Sequence, residues 1–200
     1  GRIPAQDVVQ VEGYVTKLLD YETAPPEPWN AQALLVADNG KQFDEGFDGI
    51  LENLRGQYLD DHLSIDTIYM EDYCSSYSDC PLATHALTEA WNSGAAMLIY
   101  AGHGSVNRWA HEPLIYNTDL TVLTQTEKLP FLLSMDCWDG NWFFPPSYPS
   151  IYDTRSIGEW VTTVLTETGA IAAFSPAALA YAGLEERLAQ AMFEVIFDQG

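Results

Sequence analysis

Three uninterrupted apolar runs constrain this chain more than anything else in it: ALLVA at 33–37, AAMLIYA at 95–101 and LPFLLSM at 129–135. A strand without polar alternation is buried on both faces, which calls for a mostly parallel sheet covered by helices. The segments between the runs fit that demand. An amphipathic helix is expected over 7–21, ended by PPEP at 25–28, and others near 47–58, over 83–94, 156–169 and 183–200. SIDTIYM at 64–70 and AIAAFSP at 170–176 add two strands. No repeat, low-complexity tract or linker interrupts the alternation. The expectation is one α/β domain over residues 1–200, whose 47% hydrophobic content is enough for a sizeable core.

In such sheets ligands bind beyond the carboxyl ends of the strands. Asp38 and Asn39, His103, Cys137, and Ser175 with Pro176 all lie just past strand ends. Cysteine beside imidazole is held as the thiolate, the attacking species, if the two strands are neighbours. His103 would then act as base and later protonate the leaving amine. The amides of Gly104 and Cys137 are candidate oxyanion donors, and Asn39 or Asp38 is the candidate third residue that orients the imidazole. Taken singly, a histidine after a strand is a hydrogen-bonded turn residue and a buried cysteine a small core hydrophobe. Only the pair, at matching strand ends, argues for catalysis. His62, His85 and His111 read as structural.

Eight Lys and Arg stand against 29 Asp and Glu, a formal charge of −21. That field repels nucleic acid and anionic membranes and favours cationic partners. No run is long and apolar enough to span a bilayer. Cys74 and Cys80 flank a short polar loop and are a candidate disulfide, which would point to an oxidising compartment and leave Cys137 as the free thiol. No glycine-rich phosphate loop, GxSxG elbow or metal-catalysis spacing is present.

At these residues the chain resembles the gingipain family of cysteine peptidases. The resemblance runs from GRIPA and KLLDYE through LLVADN, AGHGSVNRWAHE, LPFLLSMDCWDGNWF and SIGEWV to TGAIAAFSP. A glycine-flanked histidine, a cysteine 34 residues later and a glycine three after that are specific in combination. The resemblance implies a caspase-like three-layer α/β/α sandwich, His103 as base, Cys137 as nucleophile, and oxyanion donors at Gly104 and Cys137. The family's acidic partner of the histidine falls after the strand at 33–39, where Asn39 and Asp38 stand. Arginine-specific members bind the substrate's basic side chain through an aspartate that matches Asp44, with Glu45 and Asp48 nearby; DEGFD also reads as the acidic cap of a helix. Tyr181 and Pro176 match pocket walls, and Trp138 is a further candidate substrate contact. No cofactor is needed for the chemistry, structural calcium is implied without a located site, and further domains of a longer parent chain are expected.

Three functions compete. The first is a secreted or surface-attached cysteine endopeptidase that acts through a thioester acyl-enzyme on protein or peptide substrates, cutting after a basic residue. The second is a non-catalytic peptidase-like module that binds proteins through the aromatic loop at 138–152. The third is a sortase-like transpeptidase of secreted cargo, which shares the thioester with the first. The endopeptidase is the leading reading.

Overall fold

The computed structural model describes residues 1–40, 46–74, 80–142 and 155–197. Helix α1 (Val8–Thr23) opens on the Asp7 side chain, which accepts the Gln10 N–H. The chain then lays down β1 (Gln32–Ala37), α2 (Phe47–Leu54), β2 (Ser64–Tyr69), a single helical turn α3 (Met70–Tyr73), α4 (Pro81–Ser93) and β3 (Met97–Ala101). Three two-residue strands follow, β4 (Gly104–Ser105), β5 (Arg108–Trp109) and β6 (Ile115–Tyr116), then β7 (Phe131–Met135), α5 (Ile157–Glu159), β8 (Ala172–Phe174) and α6 (Ala182–Phe197).

The main sheet is parallel throughout, in the order β2-β1-β3-β7-β8. Its side chains alternate between two cores, as the two-residue period of a strand requires. Leu34, Val36, Leu98, Tyr100 and Leu132 face α4 and the 157–161 segment through Leu87, Trp91, Ile157 and Val161. Leu35, Ile99, Leu133 and Met135 face α2 and α6 through Leu51, Leu54, Ala189 and Phe193. Sheet and two helical layers make the expected α/β/α sandwich. Cys74 and Cys80 are joined as a disulfide between α3 and α4. Among the described residues no helix is long and apolar enough to cross a membrane.

Two expectations change. The helix over 156–169 closes earlier: α5 widens into a π-helical turn at Trp160–Val164 and stops. Its run of threonine and valine is a poor helix former, and Gly169, at φ +90°, lies outside the right-handed helical region. The strand over 170–176 shrinks to three residues, and Phe174 is exposed rather than buried. The small antiparallel sheet β4-β5-β6 was not foreseen.

Lys17 of α1 is 4% exposed and reaches three carbonyls around the wide turn: Leu165 at 2.9 Å, Thr168 at 3.1 Å and, beside the Ala170 N–H that it already accepts, Val161 at 3.2 Å. Burial lowers its pKa to about 7. Removing the ammonium strands the Leu165 and Thr168 acceptors, so Lys17→Met should cost about 2 kcal/mol of stability in urea denaturation. A variant as stable as the parent would show that this cap contributes nothing.

Candidate active site

The parallel register of β3 and β7 pairs Ala101 with Met135, and Gly102 N–H donates to the Met135 carbonyl at 3.1 Å. His103 and Cys137 each lie two residues beyond that pair. The site is therefore built where two adjacent strands end at the same level. On the other flank of β3, Ala37 pairs with Ala101, and Asp38 N–H donates to the Ala101 carbonyl at 3.0 Å.

The backbone of His103 is held at both ends. Its N–H donates to Asp38 Oδ2 at 3.0 Å, and its carbonyl accepts from the Tyr100 hydroxyl at 2.7 Å and Ala110 N–H at 2.8 Å. Tyr100 stacks on Trp109, with ring centroids 4.3 Å apart, and Trp109 stacks on Trp91. An aromatic column thus runs from the core to the histidine. Phe47, the first residue of α2, sets its ring edge-on to the imidazole at 5.4 Å.

The glycines of both motifs answer to close approach. A Cβ on Gly102 would overlap Asp38 and the Tyr100 ring; on Gly104 it would overlap the Asp136 carboxyl; on Gly140 it would meet the Ser175 backbone. After Cys137 the chain turns sharply through Trp138, at φ +71°, and Gly140 N–H donates to the Pro176 carbonyl at 3.0 Å. The Cys137 thiol is partly exposed. Its Sγ accepts from Ala180 N–H at 3.5 Å and faces the Ala180 carbonyl at 3.8 Å.

A cavity of about 320 Å³ opens beside the cysteine between β7, β8 and α6. Pro176 and Tyr181 line it with Ala180, Met135, Leu188 and Glu185, whereas Trp138 does not. Asp44 and Glu45 lie outside the described residues; Asp48 sits in the first turn of α2. Among the described residues no group of three or more His, Cys, Asp or Glu side chains is arranged to hold a metal ion.

Four carboxyl groups are crowded into this end of the sheet. Burial raises Asp38 to about 6, against the opposing effects of the His103 backbone bond and the imidazole's charge. Burial also raises Glu185 to about 7 and pushes up Asp136 and Asp139, both fully enclosed. Asn39 is buried too, and its Oδ1 has no donor among the described residues. Asp38, a candidate for orienting the imidazole, is seen to hold the histidine's backbone. Tyr100, Glu185, Asp136 and Asp139 were not singled out from the sequence. Only the two aspartates carried a signal, as acids flanking a cysteine at the end of an apolar run.

The family described as Peptidase family C25 matches residues 1–200. Gingipain R2 of Porphyromonas gingivalis is 25% identical over 154 residues, covering 72% of this chain and 19% of the relative. Gingipain R1 of the same organism has the same identity, over 14% of its length. The chain thus spans a fifth or less of these relatives. The crystal structure of the Arg-specific cysteine proteinase gingipain R superposes on all of the chain with a TM-score of 0.74 at 18% identity, using 44% of that structure. The complex of RgpB pro- and mature domains matches 98% of the chain with a TM-score of 0.72 at 19% identity. The shared architecture is the caspase-like sandwich.

The crowded carboxyls set the pH response of the fold. An acid whose pKa is higher in the native state than in the unfolded chain keeps a proton that the unfolded chain releases, so stability falls as pH rises between the two values. With Asp38 raised from 3.8 to about 6 and Glu185 from 4.5 to about 7, the urea midpoint should be higher near pH 5 than near pH 7. A midpoint that rises across that window would contradict these assignments.

Proposed function

The chain belongs to peptidase family C25, and on that premise we propose that it is a cysteine endopeptidase with Cys137 as nucleophile and His103 as its base. The observation that supports the pairing is the β3–β7 register, which sets both residues two positions past one hydrogen-bonded pair. His103 takes the thiol proton, and the thiolate attacks the scissile carbonyl carbon to form a tetrahedral adduct. The adduct's oxyanion faces the N–H groups of Gly104 and Cys137. Collapse breaks the C–N bond, the amine leaves with the proton from His103, and a thioester remains on Cys137. Water, deprotonated by His103, then attacks the thioester; the acid departs and the thiol is restored.

Asp38 serves this chemistry by fixing the backbone from which His103 projects. Asn39, buried at the same strand end, completes that flank. Substrate side chains would enter the cavity walled by Pro176 and Tyr181. A preference for a basic residue at the cleavage point follows by extension from the Arg-specific proteinase of the same fold, with Asp44 as the acidic counterpart. The disulfide between Cys74 and Cys80 supports a secreted or cell-surface setting. The relatives' greater length supports further domains in the parent protein.

An arginyl acyloxymethyl-ketone probe, applied with and without calcium and followed by mass mapping, tests this reading. Labelling is expected at Cys137 and should fall at least about 100-fold in His103→Ala. Labelling only by a probe with a non-basic residue would keep the peptidase and remove the basic preference. Acyl transfer to an added amine in place of hydrolysis would make it a transpeptidase. No labelling by any probe, in folded protein, would leave a binding module.

A further inference from the structure

Asp136 and Asp139 bracket Cys137 and are both fully buried, yet their surroundings differ. Asp139 Oδ2 accepts from the Trp109 indole N–H at 3.1 Å, while its Oδ1 and the buried hydroxyls of Ser134 and Ser175 have no hydrogen-bond partner among the described residues. Neither oxygen of Asp136 receives a hydrogen bond from an N–H or hydroxyl donor among the described residues. What meets Asp136 is the Asp139 carboxyl on one side and the bare Cα of Gly104 on the other. Two carboxylates cannot both stay ionised at contact in a dry site, and a proton bridging them stays with the group that has fewer donors.

We propose that Asp136 and Asp139 share one proton, carried by Asp136, and that this neutral acid is a positioning residue that seats Gly104 and limits the charge beneath Cys137 to one. The other ionisable groups facing the pair are Cys137 itself, Glu185 from α6 and Tyr100 from β3. Glu185 is tied to the Asp136 backbone N–H, so it braces the same corner. The Asp136 hydroxyl donates to Asp139, whose negative charge is met by the Trp109 indole N–H. Were Asp136 ionised as well, a second anion beside the sulfur would oppose the thiolate. The catalytic consequence rests on the reading of Cys137 as nucleophile; the protonation of the pair does not.

Cys137 is the one cysteine outside the disulfide, so its alkylation by iodoacetamide can be followed against pH in the whole protein. Asp136→Asn exchanges a neutral donor for another and should leave the alkylation midpoint where it is. Asp139→Asn removes the pair's charge and should lower the midpoint by about one pH unit. A midpoint lowered equally by Asp136→Asn, or unmoved by Asp139→Asn, overturns the proposal. Amide exchange at Gly104 should quicken about tenfold or more in Asp136→Ala and be restored in Asp136→Asn; equal exchange in both would remove the seating role. If Asp136→Asn does not fold, the ¹³C carboxyl resonances of aspartate-labelled parent protein decide. At mildly alkaline pH one should remain at the protonated position, and its absence overturns the shared proton. A protein inactive on every peptide but with these midpoints would keep the pair and end the peptidase reading.

Discussion

Everything at the reactive end of this molecule depends on the parallel hydrogen-bonding register between two central strands. Parallel neighbours run about 4.8 Å apart with their termini on the same side. Residues at equal distances past a paired position therefore emerge side by side. Ala101 and Met135 are that position here, and the histidine and cysteine inherit their proximity from it. A slip of one residue would turn one side chain toward the opposite core. The alternation that sends Leu98 and Tyr100 to one core and Ile99 to the other pins the register against such a slip.

The second organising constraint is charge. A chain with 29 acidic residues against 8 basic ones has few cations to offer its interior. Its buried acids are consequently met by backbone N–H groups, an indole and each other. Asp38 takes the His103 amide, Glu185 the Asp136 amide, and Asp139 the Trp109 indole. Among the described residues the buried ammonium of Lys17 is likewise met by carbonyl dipoles, those of Val161, Leu165 and Thr168. For these three acids the partial charges of neutral groups stand where ion pairs could, and burial leaves Asp38 and Glu185 easily protonated.

Much of this was legible in the sequence because it is carried by strong local signals. Continuous apolar runs identify buried parallel strands, and the strand-terminal His103 and Cys137 follow from where those runs stop. The glycines around them were visible, but not their reasons, since Gly104 answers to Asp136, which is 32 positions away in the chain. Strands of two residues, such as those after His103, are too short to leave a periodic trace. Glu185 sits on a helix whose sequence gives no hint that it reaches across to β7. The widened turn after α5 depends on a lysine more than 140 residues earlier. Apart from those short local strands, what the sequence does not signal is contact between distant segments.

The fit of Asp136 over Gly104 couples the two positions as a single unit of variation. A side chain at 104 needs the space that the aspartate occupies, so substitution there becomes tolerable only after 136 has been trimmed. The order of changes matters, and a path that begins at the glycine passes through a damaged intermediate. In relatives with a smaller residue before the cysteine, the glycine after the histidine is relieved of this one steric demand. Divergence at either motif is in this sense conditional on the history of the other.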